Sequence, residues 1–94
     1  MPTPHAVTHN PAAARFEAHI DGHLCVADYR LAGTLMTMHH TLVPAALEGR
    51  GIAAALVAAA LDHARGAGWR VHPTCSYVAR YMQRHLETQD LLAP

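Results

Sequence analysis

The sequence predicts an α/β chain of the α+β kind, a mostly antiparallel sheet of about four strands carrying two helices. Three observations lead there. The first half alternates apolar and polar residues with period two, as half-buried strands do, and the period becomes helical after Gly51. Each run is also bounded by glycine, proline or an Asp-Gly pair, the residues that punctuate a chain.

Taken in order, Phe16, Ala18 and Ile20 alternate with Arg15, Glu17 and His19, which gives a first strand. Asp21-Gly22 follows, a dipeptide suited to a two-residue hairpin because both central residues must accept positive φ. A second strand is expected from His23 to about Leu31, broken by Ala32-Gly33. A third spans Thr34 to Val43 and stops at Pro44, which has no N–H for a ladder. Ile52, Ala55, Leu56, Ala59 and His63 then recur at helical spacing in an alanine-rich run, with Gly66 and Gly68 closing the helix. Trp69–Pro73 reads as a short strand. A second helix is expected to start near Ser76, placing Tyr77, Val78, Tyr81, Met82 and His85 along one side.

Residues 1–14 are polar and proline-bearing, and are expected to be a flexible N-terminal tail ahead of one domain over residues 15–94. The chain of 94 residues is 51% apolar, but 19 residues are alanine, so the core is thin and a homodimer would add stability. Seven arginines balance seven acidic residues and there is no lysine, which argues against a nucleic-acid partner. No apolar run approaches the ~20 residues that span a membrane. The start also lacks a secretory pattern, so no membrane partner and a cytoplasmic location are expected. Cys25 and Cys75 have no framework spacing and read as reduced thiols. The nine histidines form no convergent triplet by spacing, so no metal is expected.

The stretch Glu48-Gly49-Arg50-Gly51-Ile52-Ala53 places two glycines and a small residue where the backbone enters a helix. Unpaired N–H groups and the positive end of the helix dipole suit a phosphate there, with Arg50 adding charge at the rim. The same residues also suit an ordinary tight turn with a solvated arginine. The residues from His40 to Ala53 resemble the strand-turn-helix of the GNAT acyl-CoA N-acetyltransferases, whose signature is Q/R-x-x-G-x-G/A. Here it reads Glu48-x-x-Gly51-x-Ala53, with the first position departing.

Four ordered blocks are similar to the small single-domain GNAT-like acetyltransferase family: Ala27-Asp28-Tyr29, His40–Pro44, Gly49–Ala53 and Pro73–His85. Leu42 stands where that group often carries Glu, and Leu86 where it often carries Pro. The resemblance implies a truncated GNAT acyl-CoA acyltransferase fold with an open acceptor side. It implies acetyl-CoA or coenzyme A as the bound substrate, lying along Thr41, Leu42 and Val43 and against Glu48, Gly49, Arg50, Gly51, Ile52 and Ala53. The implied activity is transfer of an acetyl group to an amine of a small molecule or a protein. The alternative is a non-catalytic acyl-CoA-binding or protein-interaction module.

Acyl transfer to an amine needs a base, a holder for the developing oxyanion and a proton for the leaving thiolate. His40 is the preferred base, with His39 on the same strand as the other candidate. Cys75, just before a helix, has its thiolate favoured by the dipole and could carry the acetyl group. Tyr81, ahead of Tyr77, is expected to supply the leaving-group proton, as the resemblance implies. Cys25 reads as core filler.

Overall fold

The computed structural model describes residues 5–94, so the first four residues of the expected tail lie outside the described residues. The strands are β1 (Thr8–Asn10), β2 (Arg15–Ile20), β3 (His23–Ala32), β4 (Leu35–Leu42) and β5 (Arg70–Pro73), and the helices are α1 (Ile52–Ala67) and α2 (Ser76–Arg84). They form one sheet in the order β1-β2-β3-β4-β5, antiparallel except for the β4–β5 pair that α1 connects.

The hairpin at Asp21-Gly22 forms as its residues dictate. Asp21 has φ 50° and Gly22 φ 79°, the two positive values that such a turn demands, and Ile20 pairs with His23 across it. Helix α1 buries Ile52, Leu56, Val57, Ala60, Leu61 and Ala64, a face rotated by about one residue from the expected stripe. It runs through Gly66 and ends at Gly68, whose N–H bonds the carbonyls of Ala64 and Arg65. Its alanines leave little bulk, so it packs directly on β2 and β3.

The buried strand residues Phe16, Ala18, Cys25, Ala27, Tyr29, Met36 and Met38 join the helices in one core, so both helices cover one face of the sheet. Cys25 is fully buried, as filler. The alternate residues, among them Arg15, His19, Leu24 and Arg30, face outward, and only two residues join β2 to β3. Among the described residues no helix is long and apolar enough to cross a membrane.

The fifth strand comes from the segment expected as tail. β1 pairs with β2 through His9 and Phe16, whose rings stack at 4.3 Å, and a single turn over Pro11–Ala13, capped by the Asn10 side chain, returns the chain. Three residues are too few for a period to show, and packing of side chains holds the strand instead. His9 Nε2 lies 2.7 Å from the Tyr29 hydroxyl, and its ring centroid is 4.3 Å from that of His63 on α1. β5 is also less bare than its position suggests, because Val71 bridges to Leu92 and accepts the Ala93 N–H.

Strand β4 contains a bulge. Asp28 pairs with His40 and Tyr29 with Met38, which leaves His39 without a partner. The alternation changes phase there: Met36 and Met38 are buried, whereas His40 and Leu42 are exposed and Thr41 and Val43 turn toward the helices.

Burial, and then the nearby His63, holds the His9 imidazole below its ordinary pKa of 6.5. The unfolded chain therefore takes up a proton first as pH falls, and stability is lost from about pH 6.5 downward toward the folded value. The thermal melting midpoint should be flat above that pH and fall below it, with a shallower fall in His9→Gln. An identical slope in the variant would show that this histidine does not control the transition.

Candidate functional site

β4 and β5 run in register only from Leu35↔Arg70 to Met38↔Pro73. The Met38 carbonyl then accepts both the Thr74 N–H at 3.1 Å and the Cys75 N–H at 3.0 Å, which turns the chain away into α2. Beyond Met38, the β5 side of β4 is a bare strand edge. A cleft of about 420 Å³ opens beside that edge, walled by Thr41, Val43 and Leu47, by Glu48 to Ala54 except Arg50, and by Tyr77.

The floor of the cleft is the start of α1. Its first helical bond is Ala55 N–H to the Gly51 carbonyl at 3.1 Å, and among the described residues the N–H groups from Gly49 to Ala54 have no protein acceptor. Gly49 and Gly51 have φ 80° and 77°, and a Cβ at either would meet nothing within 4 Å. Glycine is favoured here by backbone conformation rather than by space. Unpaired donors at a helix N-terminus are the kind of group that suits an anion.

Arg50 differs from its expected role at the rim. Its guanidinium donates to Asp21 at 2.8 Å, and its carbonyl accepts from His5 Nε2 at 2.7 Å, so the loop is tied to the β2–β3 hairpin and to the N-terminal segment. Glu48 does line the cleft, adding a carboxylate beside the donors.

Cys75 is the N-cap of α2 and its Sγ lies 3.6 Å from Thr41 Oγ1. It closes no conventional side-chain capping bond. Burial raises its pKa, but the Val78 N–H, the Thr41 hydroxyl, the Tyr77 N–H and the Thr41 backbone outweigh burial, so the thiol sits below its ordinary value. Cys25 is shifted up by burial alone.

The other expected groups separate. His40 lies on the open face of the sheet, not in the cleft, because the bulge puts it there; its Nδ1 is 2.9 Å from Asp28 Oδ2. Leu42 shares that face, about half exposed, while its backbone belongs to the bare edge. Tyr81 lies one turn beyond the cleft, stacked on His85 at 4.0 Å, and Tyr77 is the phenol that lines the cleft. The sequence reading missed Asp28 as the His40 partner and the Thr41 hydroxyl as the Cys75 partner. Only the cross-strand register reveals the first, and only the divergence of β5 reveals the second. Among the described residues no group of three or more His, Cys, Asp or Glu is placed to hold a metal ion.

A strand edge left bare by a diverging parallel neighbour, next to a glycine-bearing helix start, is the arrangement that the resemblance implied. Residues 15–91 match the family model of GCN5-related N-acetyl-transferases. The chain belongs to the GCN5-related N-acetyl-transferase family. It is 33% identical over 85 residues to Protein NATD1 of Mus musculus, covering 87% of this chain and 77% of that one. The figures for Protein NATD1 of Homo sapiens are 33% over 85 residues, 87% and 75%. An NMR structure of a GCN5-like protein from Staphylococcus aureus superposes with a TM-score of 0.74 at 22% identity, over 94% of this chain and 87% of that one. In this chain both helices lie on one face of the sheet, and a two-residue hairpin joins β2 directly to β3.

In the native protein, iodoacetamide should label Cys75 faster than Cys25, with the midpoint of the Cys75 rate against pH below the ordinary thiol value of 9.0. Thr41→Val should move that midpoint up. Equal labelling of the two thiols, or a midpoint unmoved by the substitution, would make Cys75 an ordinary half-buried thiol.

Proposed function

We propose that this protein is an acetyl-CoA-dependent N-acetyltransferase acting on an amine. The observation that carries the reading is the run of N–H groups from Gly49 to Ala54 without an acceptor among the described residues, beside a cleft whose wall at the bare strand edge includes Thr41, 3.6 Å from Cys75 Sγ. In this reading the pyrophosphate of coenzyme A sits on those donors. The pantetheine arm pairs with the edge at Thr41–Val43, which is indifferent to the side chain of Leu42. The thioester then reaches the divergence beside Cys75.

Two routes complete the transfer. In the direct one, the amine nitrogen attacks the thioester carbonyl, the carbon–sulfur bond breaks and the leaving thiolate takes a proton. Tyr77 lines the cleft and is better placed for that proton than Tyr81; its phenol is kept neutral by burial, against a smaller opposing effect of Arg84. In the covalent one, the Cys75 thiolate takes the acetyl group first and passes it to the amine. His40 stands ready on the open face, its Nδ1 held by Asp28 so that Nε2 is free to accept the proton of the incoming ammonium. Leu42, where relatives often carry a carboxylate, shares that face, which supports assigning the amine to the open side. Two unpaired cysteines agree with a cytoplasmic setting.

Gly51→Ala tests the cofactor site. An alanine at φ 77° costs about 1–2 kcal/mol of backbone strain without a clash. Relaxation of that strain redirects the donors, and coenzyme A affinity in calorimetry should fall about tenfold or more. Unchanged affinity would remove the pyrophosphate from this turn. Glu48→Gln should do the reverse, tightening binding about threefold, the effect of a unit charge roughly 6 Å away in water.

Chemistry is read separately. Incubation with acetyl-CoA followed by intact mass should give one hydroxylamine-labile acetyl adduct, absent from Cys75→Ala; with no lysine in the chain, no side-chain amine competes. Coenzyme A release against a panel of amines should fall about 10²- to 10⁴-fold in His40→Gln with coenzyme A affinity unchanged. Tight binding with no release by any amine would leave an acyl-CoA-binding module.

A further inference from the structure

The cleft does not end at Tyr77. A second groove of about 240 Å³ continues from it between α1 and the outer side of α2, sharing Ala54 and Tyr77 and adding Arg80, Tyr81, Arg84 and His85. Tyr77, Arg80, Tyr81 and Arg84 follow at helical spacing, so the groove runs about 10 Å along α2 at 1.5 Å per residue.

Its charge is unusual for this molecule. Positive and negative residues balance over the chain, and the other cleft-side cation, Arg50, is taken up by Asp21. Arg15 is bonded to Glu17, Arg65 to Asp90, and Arg70 to the Asp90 carbonyl. Among the described residues, Arg30 on the open face of the sheet, Arg80 and Arg84 have neither an ion pair nor a hydrogen bond, and only Arg80 and Arg84 stand together, one turn apart, where they repel each other. Both are exposed, and the positive charge of Arg84 acts on the Tyr77 phenol, back toward the cleft. Acidic residues around this surface are Glu87, 3.5 Å from His85 Nδ1, Asp62 of α1, whose charge bears on Tyr81, and Glu48 in the wall of the adjoining cleft. None of the three bonds Arg80 or Arg84.

Two free guanidiniums one turn apart suit a doubly charged phosphate monoester, which accepts several N–H bonds at once. The surroundings suit a flat heterocycle: Ala54 leaves little side-chain bulk, and the stacked Tyr81–His85 pair lines the groove farther along α2. A ligand with its pyrophosphate on the Gly49–Ala54 donors would carry such a monoester and purine only on its nucleotide end. Resting on the proposed coenzyme A site, we infer that Arg80 and Arg84 bind the 3′-phosphate of the adenosine and make the protein select coenzyme A over dephospho-coenzyme A.

The test is calorimetry of coenzyme A and dephospho-coenzyme A against the wild type, Arg80→Ala, Arg84→Ala and the double variant, with circular dichroism to verify the fold. The wild type should prefer coenzyme A by about tenfold or more, as for lost hydrogen bonds between charged groups. In the double variant, coenzyme A should bind no better than dephospho-coenzyme A, whose own affinity should be unchanged. Equal wild-type affinity for the two ligands, or a loss in the variants that falls equally on both, would overturn the inference while leaving the pyrophosphate site standing. Absence of binding by either ligand to the wild type would remove the cofactor reading itself, and this inference with it.

Discussion

The arrangement depends on one carbonyl. Met38 O takes two N–H groups, those of Thr74 and Cys75, at the point where β5 leaves β4. A parallel strand that continued would have covered the β4 edge and closed the cleft. Because it turns instead, the next residue becomes the N-cap of a helix, and the donors of that helix start act on a thiol. The bare edge, the cleft and the shifted cysteine are thus consequences of a single local change of direction, made on a fully buried methionine that has little freedom to move.

The second fixed point is the loop before α1. Ile52 is buried and holds the helix start against the core, while the backbone just ahead of it is held by Arg50 at both ends, through Asp21 and through His5. The loop backbone is therefore tied down ahead of Ile52's approach to the core, which lowers the ordering cost of any ligand bound there. The thin core explains the value of such ties. Alanine gives α1 its close approach to the sheet but contributes little apolar area, and part of the stability comes from the aromatic contacts of His9, Phe16 and His63 at the far end of that helix.

Most of the architecture could be read from residue order. Alternation from Arg15, the Asp21-Gly22 pair and the change of period after Gly51 determine three strands, a hairpin and a helix, because each is a local consequence of side-chain spacing or φ. The glycine-bearing start of α1 was legible for the same reason. What escaped was non-local. β1 is held by ring stacking rather than by periodicity, the partner of His40 is defined by a cross-strand register, and the choice between Tyr77 and Tyr81 depends on how α2 is rotated against the cleft. The sequence shows two tyrosines four apart on one stripe, and only packing separates them.

The unpaired residue at His39 has a consequence for how such a protein can change. By inserting one residue into the ladder, it shifts the phase of the alternation, so that Thr41 and Val43 line the cleft while His40 and Leu42 look outward. Four consecutive residues thus divide into two independent sets. Exchanges at 40 and 42 alter the outer surface with the cleft wall untouched, and exchanges at 41 and 43 do the opposite. Deleting the extra residue would swap the two sets in one step. Diversification by substitution is easy in this strand, and change of its length is forbidden.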